Sequence, residues 1–229
     1  MQLWIGTSGY SYKEWKGNFY PEKFPNDQML GYYAQRLNSV EINNTFYRLP
    51  KETVLETWAG QVPDAFRFSI KASRRITHIK RLKAADDEAG YLFGVLGALG
   101  NRLGVVLLQL PPNFKKDLDR LATFLDLIPE GIHAAFEFRH DSWIEDDVHD
   151  LLRGRNCALV VSEDDDAPTR VVPTADWGYV RLRKSAYGPA ELKLWTQQVG
   201  AQAWEQAFVF FKHEDAGAGP KLAEGEPGG

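Results

Sequence analysis

Ala134-Ala135-Phe136-Glu137-Phe138-Arg139-His140-Asp141-Ser142-Trp143 is the stretch from which the fold is read. Ile132, Ala134, Phe136 and Phe138 alternate with His133, Ala135, Glu137 and Arg139, which is the period of a β-strand. The second set starts small and ends charged, so Glu137 and Arg139 share one face near the C-terminal end of the strand. Asp141 or Ser142 is placed to cap a helix carrying Ile144, Val148, Leu151 and Leu152. A charged pair at the exit of an apolar strand, followed by a helix, suits the active face of a parallel α/β fold. The same pair also suits an ion pair that orders the strand end, since perturbed charges serve both purposes.

Working outward, the same pattern recurs. Residues 3–6 read as a short buried strand that turns at Thr7-Ser8-Gly9. Val40-Glu41-Ile42-Asn43 is a second strand, with Glu41 and Asn43 on one face. Residues 66–71 form a third, and residues 103–110, nearly all apolar, a fourth that is covered on both faces. Residues 157–162, 179–183 and 207–212 complete the set. Between them lie helical stripes: Met29, Leu30, Tyr33, Ala34 and Leu37 after Asn26 or Asp27; Val54, Leu55 and Trp58; Tyr91, Leu92, Val95, Leu96 and Leu99; and Leu118, Leu121, Ala122, Leu125 and Ile128 after Asp117. Pro189 opens a last helix with Leu192, Trp195 and Val199. The sixth strand instead empties into Glu163-Asp164-Asp165-Asp166 with no convincing helix after it.

Eight strands alternating with about six helices call for a parallel sheet. Eight also closes an α/β barrel of the triosephosphate-isomerase type, a (β/α)8 fold that typically takes about 250 residues. At 229 residues the chain is slightly short, and the deficit fits a missing sixth helix and a reduced or absent eighth. The expectation is a single barrel domain over residues 1–222 with a flexible tail over 223–229. The alternative is an open doubly wound sheet, but no Gly-x-Gly-x-x-Gly follows the first strand.

The formal net charge of −4 supplies no overall field that would attract nucleic acid. The N-terminal residues lack a basic region and a long apolar core, so they do not read as a signal peptide. No apolar run is long enough to span a bilayer. The lone Cys157, beside Ala158, Leu159, Val160 and Val161, excludes an internal disulfide and a multi-cysteine metal site. A cytoplasmic protein is the expectation.

Several segments resemble the YecE-like family, which is known as a domain of unknown function. They are Gly6-Thr7-Ser8-Gly9-Tyr10-Ser11-Tyr12 with Trp15 and Gly17-Asn18-Phe19-Tyr20-Pro21; Val40-Glu41-Ile42-Asn43-Asn44-Thr45-Phe46-Tyr47-Arg48; and Phe68-Ser69-Ile70-Lys71 with Thr77-His78. Gln109-Leu110-Pro111-Pro112, Glu137-Phe138-Arg139-His140 with Trp143, and Phe211-Lys212-His213-Glu214-Asp215 with Gly219-Pro220 follow in order. The resemblance implies a barrel of the kind argued above and supplies no reaction. Where the family usually carries a run of Asn and aromatic residues after the last strand, this chain has Phe210-Phe211-Lys212-His213-Glu214.

In such barrels the active site lies at the C-terminal strand ends. Those ends here carry Thr7, Ser8, Glu41, Asn43, Lys71, Gln109, Glu137, Arg139, Glu163, Asp164, Arg181, Arg183, Lys212 and His213. A charge inside a strand pattern is costly unless it is used or paired. Glu41, Glu137, His140 and His213 are the acid–base candidates, with Glu137 foremost and Arg139 as its electrostatic setting. Lys71, Arg139, Arg181 and Arg183, with Asn43, Gln109, Tyr10 and Trp143, are candidates to hold a substrate. Cationic forks fit phosphate or carboxylate. A glycosidase pair of Glu41 and Glu137 is less favoured, because Gln109, Arg181 and Arg183 stand where common barrel glycosidases carry carboxylates. A divalent metal on Glu41, Glu137, His140, Asp164 and His213 suits the ligand types but matches no compact motif.

The expected function is therefore that of an enzyme, a hydrolase or lyase, acting on a small anionic substrate at the barrel mouth. The alternative is a non-catalytic module for nucleic acid or nucleotide, using the basic segment 71–83 and the aromatic loop 10–20.

Overall fold

The alternation of large apolar with small or polar residues folds as nine parallel strands: β1 Gln2–Ser8, β2 Ser39–Ile42, β3 Arg67–Lys71, β4 Leu103–Gln109, β5 Ala134–Glu137, β6 Ala158–Leu159, β7 Val161–Glu163, β8 Trp177–Leu182 and β9 Gln206–Phe211. The computed structural model describes residues 1–165, 170–212 and 218–225. The strands run in the order β6-β5-β4-β3-β2-β1-β9-β8-β7. Only Val160 separates β6 from β7, and its N–H donates to the Phe136 carbonyl at 2.9 Å. β6 pairs with β5 and β7 with β8, so the two pieces are halves of one sixth strand. That shared strand draws the sheet into a nearly closed barrel, the expected α/β architecture with its sixth strand broken in the middle.

Helices α1 Met29–Tyr33, α2 Glu52–Gln61, α3 Asp86–Leu96, α4 Leu118–Leu125, α5 Asp146–Arg153, α6 Pro189–Gly200 and α7 Ala218–Ala223 lie between or after the strands. Among the described residues between β7 and β8 there is no helix, and the eighth crossover is reduced to the six residues of α7. Of the tail expected from residue 223, residues 226–229 lie outside those described, as do Asp166 and His213.

Each strand faces two ways. Val106, Leu108, Ala134 and Phe136 point outward and pack under the helices. Trp4, Val105, Leu107, Ala135, Ala158, Val160, Trp177, Tyr179, Phe208 and Phe210 point inward and fill the barrel. Above this apolar plug, toward the C-terminal strand ends, the inward positions turn polar.

At the β1–β2 seam Tyr33 enters the ladder. Its hydroxyl accepts from the Thr7 N–H at 2.9 Å and donates to the Ser39 carbonyl at 2.9 Å. Gly6 makes room for this, because a Cβ there would stand 1.8 Å from the Ser39 oxygen and 2.9 Å from the Tyr33 hydroxyl.

The exit of β5 departs from the expected cap. His140, not Asp141 or Ser142, caps the turn, its Nδ1 accepting from the Ser142 N–H at 3.1 Å. That short turn, Asp141–Trp143, precedes α5, whose N-cap is Glu145. Val148 and Leu152 are buried as expected, but Ile144 lies in the linking residue and is 62% exposed. Asp117 does cap α4, accepting from the Arg120 N–H at 3.1 Å.

Candidate functional site

Three side chains from three strands form the floor of the mouth. Glu41 on β2 and Glu137 on β5 are both buried, and Arg181 on β8 reaches between them. One guanidinium nitrogen donates to Glu137 at 2.5 Å and the other to Glu41 at 2.8 Å. The remaining carboxylate capacity is also taken. Ser8 Oγ, Asn43 Nδ2 and Tyr179 Oη donate to Glu41 at 2.8, 2.8 and 2.7 Å. Gln109 Nε2 and Arg139 Nε donate to Glu137 at 2.9 and 3.1 Å. Ser69 lies 2.6 Å from the Tyr179 hydroxyl and extends the network downward.

Burial would raise the Glu137 carboxyl, but Arg181, Arg139 and Arg183, with the Gln109 amide, hold it down at about 2. Burial works against the Glu41 carboxylate as well. Arg181 and the donors from Asn43, Tyr179 and Ser8 outweigh it and keep the carboxyl below its ordinary range. Arg181 would lose its proton more easily through burial, yet Glu41 and Glu137 hold it more firmly protonated than a free guanidinium. The three groups thus form a fixed, ionised triad.

Above the floor opens a cavity of about 430 Å³. Lys71, Arg139, Arg181, Arg183 and Lys212 line it, with Ser8, Asn43 and Gln109, and Tyr12, Phe46, Tyr47 and His78 form the aromatic part of the wall. Five cations therefore face one cavity, while Glu41 and Glu137 lie beneath it and are already engaged. Arg183 has Asp164 beside it at 3.2 Å. The Nε atoms of Arg181 and Arg183 and the Oδ1 of Asn43 are buried with no hydrogen-bond partner among the described residues. Such orphaned groups are costly unless something else satisfies them.

Lys71 is partly buried and makes no ion pair with a carboxylate among the described residues. Its Nζ donates to the neutral Oε1 of Gln109 at 2.9 Å and sits 4.4 Å from the centre of the Phe46 ring. Burial and the neighbouring Arg181 lower its ammonium to about 8, with Glu41 and Glu137 opposing. His78 packs edge-on against the same Phe46 ring at 4.8 Å, and burial and Lys71 lower its imidazolium below the usual range.

The structure brings together Glu41, Asn43, Lys71, Gln109, Glu137, Arg139, Arg181 and Arg183 from the sequence reading. It separates others. Trp143 is fully buried, stacked on Phe138 at 4.7 Å with its indole donating to the Phe114 carbonyl at 2.7 Å, so it supports the β5 exit and does not face the cavity. Tyr10 lies on the far side of the first loop, near α1 and α2, and Tyr12 takes the place at the mouth. His140 is used in its cap. Glu163 points away from the barrel axis, accepting from Tyr187 at 2.9 Å and Trp195 at 2.7 Å and pairing with Lys184 at 3.1 Å.

Lys212, Phe46 and Tyr47, read from the sequence as a strand-end cation and as stacking aromatics, do line the cavity, and His78, not read as a site residue, joins them. The signal for His78 is its place in the turn Arg75–Ile79 that follows the end of β3. Among the described residues no group of three or more His, Cys, Asp or Glu is placed to hold a metal. The Arg181 guanidinium already occupies the space between Glu41 and Glu137, where a cation would be drawn.

A π-helical turn, Arg75–Ile79, lies within the basic segment, and Arg75 and Lys80 both pair with Glu88. The aromatic loop is mostly core, with Trp15 and Tyr20 buried. A second cavity of about 390 Å³ lies outside the barrel between β9, β1, α6 and α7, but its lining is largely apolar. Among the described residues no helix is long and apolar enough to cross a membrane.

Fold and site together define an α/β barrel with a small, strongly cationic mouth. Residues 4–225 match the family model described as a protein of unknown function, DUF72, and the chain belongs to that family. Over 109 residues, 47% of this chain and 40% of the relative, it is 38% identical to the UPF0759 protein YecE of Escherichia coli strain K12. Over 149 residues, 62% of this chain and 52% of the relative, it is 27% identical to the UPF0759 protein YunF of Bacillus subtilis strain 168. The matched segments therefore span about half or less of these relatives' own lengths. The crystal structure of a DUF72 family protein from Thermotoga maritima is similar with a TM-score of 0.85 at 25% identity, over 98% of this chain and 96% of that one. A DUF72 family protein from Enterococcus faecalis shares the fold, with a TM-score of 0.80 at 16% identity over 97% and 93% of the two chains.

Proposed function

We propose that this protein is an enzyme, a hydrolase or lyase, that binds a small phosphate- or carboxylate-bearing molecule at the barrel mouth. One observation carries the reading: Lys71, Arg139, Arg181, Arg183 and Lys212 converge on a single cavity whose nearby buried carboxylates are already engaged. A cavity of about 430 Å³ suits a small molecule and not a polymer. The unpartnered Nε atoms of Arg181 and Arg183 are donors that an anion would satisfy.

Glu137 enters this reading differently from the sequence expectation. Held at about 2, it has no proton to give near neutrality and is a weak base. Its part, with Glu41, is to fix Arg181 and Arg139 in place. At the mouth Lys71 is lowered to about 8, toward neutrality, while burial and the Lys71 charge lower His78 below its ordinary range.

A thermal-shift screen of inorganic phosphate, sugar phosphates, nucleotides and organic acids tests the proposal. At least one anion class should raise the unfolding midpoint by mass action, while neutral sugars leave it unchanged. A response to neutral sugars with none to any anion would overturn it.

A further inference from the structure

We propose that Lys71 is a nucleophilic amine that forms an imine with a small aldehyde or ketone bearing a phosphate or carboxylate group. The proposal rests on the anion-binding reading of the mouth and adds a covalent step to it.

The geometry sets Lys71 apart from other lysines of the chain. Lys80, Lys116 and Lys184 are each held in ion pairs with carboxylates. The hydrogen bond that Lys71 makes is to an uncharged amide oxygen, which an incoming carbonyl compound can replace without separating charges. Its position is also fixed. Lys71 ends β3, and the turn Asn44–Phe46 holds it twice: Thr45 Oγ1 donates to the Lys71 carbonyl at 2.7 Å, and the Phe46 ring covers the amine. Around it, Arg139, Arg181, Arg183 and Lys212 supply the anion clamp. A desolvated lysine crowded by other cations is the arrangement that releases a free amine near neutral pH, and the lowering to about 8 agrees with that geometry.

The step balances with one proton taken from solvent. The lone pair of the free Lys71 amine forms a bond to the carbonyl carbon, and the C=O π pair moves to oxygen; one proton passes from the nitrogen to that oxygen, leaving a neutral carbinolamine with the lone pair restored on nitrogen. A second proton transfer to that oxygen breaks the C–O bond and expels water. The nitrogen lone pair closes the C=N bond, and the resulting iminium carries the charge that the lysine ammonium carried before. The iminium withdraws electrons from the neighbouring bond, which is the chemistry of a carbon–carbon or carbon–oxygen lyase. His78 is suited to carry the proton. Its Nδ1 is 2.9 Å from Thr77 Oγ1, which leaves Nε2 as its other titrating atom, and it flanks the same Phe46 ring as Lys71. The orphaned Oδ1 of Asn43 offers an acceptor for a substrate hydroxyl.

The test is reductive trapping. The protein is mixed with glyoxylate, pyruvate, dihydroxyacetone phosphate or the neutral controls propanal and acetone, then treated with sodium borohydride, and the modified lysines are mapped by peptide mass spectrometry. The anionic carbonyls should leave their reduced adduct on Lys71, and the neutral ones should not select it. Adduct yield should fall about tenfold for each pH unit below about 8, as the free amine is lost. Lys71→Arg and Lys71→Met should both abolish trapping, while Lys23→Arg, at an exposed lysine away from the mouth, keeps both the trapping and the thermal shift with inorganic phosphate. Adducts spread over surface lysines, adducts on Lys212 instead of Lys71, or no adduct from a protein that still responds to phosphate would each overturn the imine. Loss of the phosphate response in the wild-type protein would overturn the anion reading beneath it.

Discussion

Arg181 shows how a residue can be central to a site and yet have little freedom to react. Its guanidinium is the only cation placed between Glu41 and Glu137 among the described residues, and no solvent reaches any of the three to an appreciable extent. Replacing it by Met leaves the buried Glu41 without a paired cation and Glu137 with Arg139 alone, at a cost of about 3–5 kcal/mol. Chemical denaturation should show that loss, and an Arg181→Met protein as stable as the wild type would mean that the triad is not a unit. Glu137→Gln is milder, because Arg181 retains Glu41, and should cost about 1–3 kcal/mol.

The same carboxylate fixes a pH dependence. Its folded value of about 2 lies below the ordinary 4.5, so the ionised form is favoured by folding. The stability it contributes is therefore fully present above about 4.5 and is lost as the pH falls from there toward 2. Acid titration of the unfolding free energy should slope downward over that window in the wild type and be flatter in Glu137→Gln. Alternation along the sequence put Glu137 and Arg139 on one face, and they do touch. It could not show that Arg181, forty-four residues further on, would take the second carboxylate oxygen, because that contact depends on which strands face one another across the barrel.

At the scale of elements, the strand exits separate what packs from what lines the mouth. Trp143 sits where the chain leaves β5, but its ring is stacked on Phe138 and its indole N–H bonds the Phe114 carbonyl. Trp143→Ala should destabilise by about 3–5 kcal/mol and leave the anion affinity of the folded fraction unchanged. A loss of affinity without a loss of stability would return Trp143 to the site. Gly6→Ala tests the β1–β2 seam. The added methyl meets backbone at 1.8 Å and has no flexible neighbour to displace, so we expect a poorly folded protein with a clearly lowered melting midpoint. Strand and helix periodicities were legible at this scale, including the want of a sixth helix among the described residues and the shortness of the eighth. Caps were less so. Asp117 is legible because one acidic residue precedes an apolar stripe, whereas after β5 the sequence points to Asp141 or Ser142 and geometry selects His140, whose ring nitrogen reaches the Ser142 N–H.

Across the whole molecule, the strand order places residues from β1, β2, β3, β4, β5, β8 and the end of β9 around one opening. The sequence implied this crowding once eight strands were recognised, since a barrel gathers its strand ends. It did not reveal the division of labour. The two glutamates that looked most like catalysts are the most heavily bonded groups in the site, and Lys71, read only as a ligand for substrate, is a partly buried amine whose hydrogen bond goes to a neutral amide. An overall charge of −4 coexists with a mouth lined by five cations, so the average field of the chain is a poor guide to its local one.

The direct measurement of that local field is a calorimetric titration of glycerol 3-phosphate and, separately, of glycerol into the protein. It is made with the wild type and with an Arg139→Ser, Lys212→Ser double variant. The phosphate ester should bind the wild type, and the neutral alcohol should give no heat of binding. The double variant should remain folded, because both side chains are exposed, and should bind the ester about tenfold or more weakly as two charged donors are removed. Glycerol binding as well as its phosphate, or an ester affinity that survives the double substitution, would contradict an anion site at the barrel mouth.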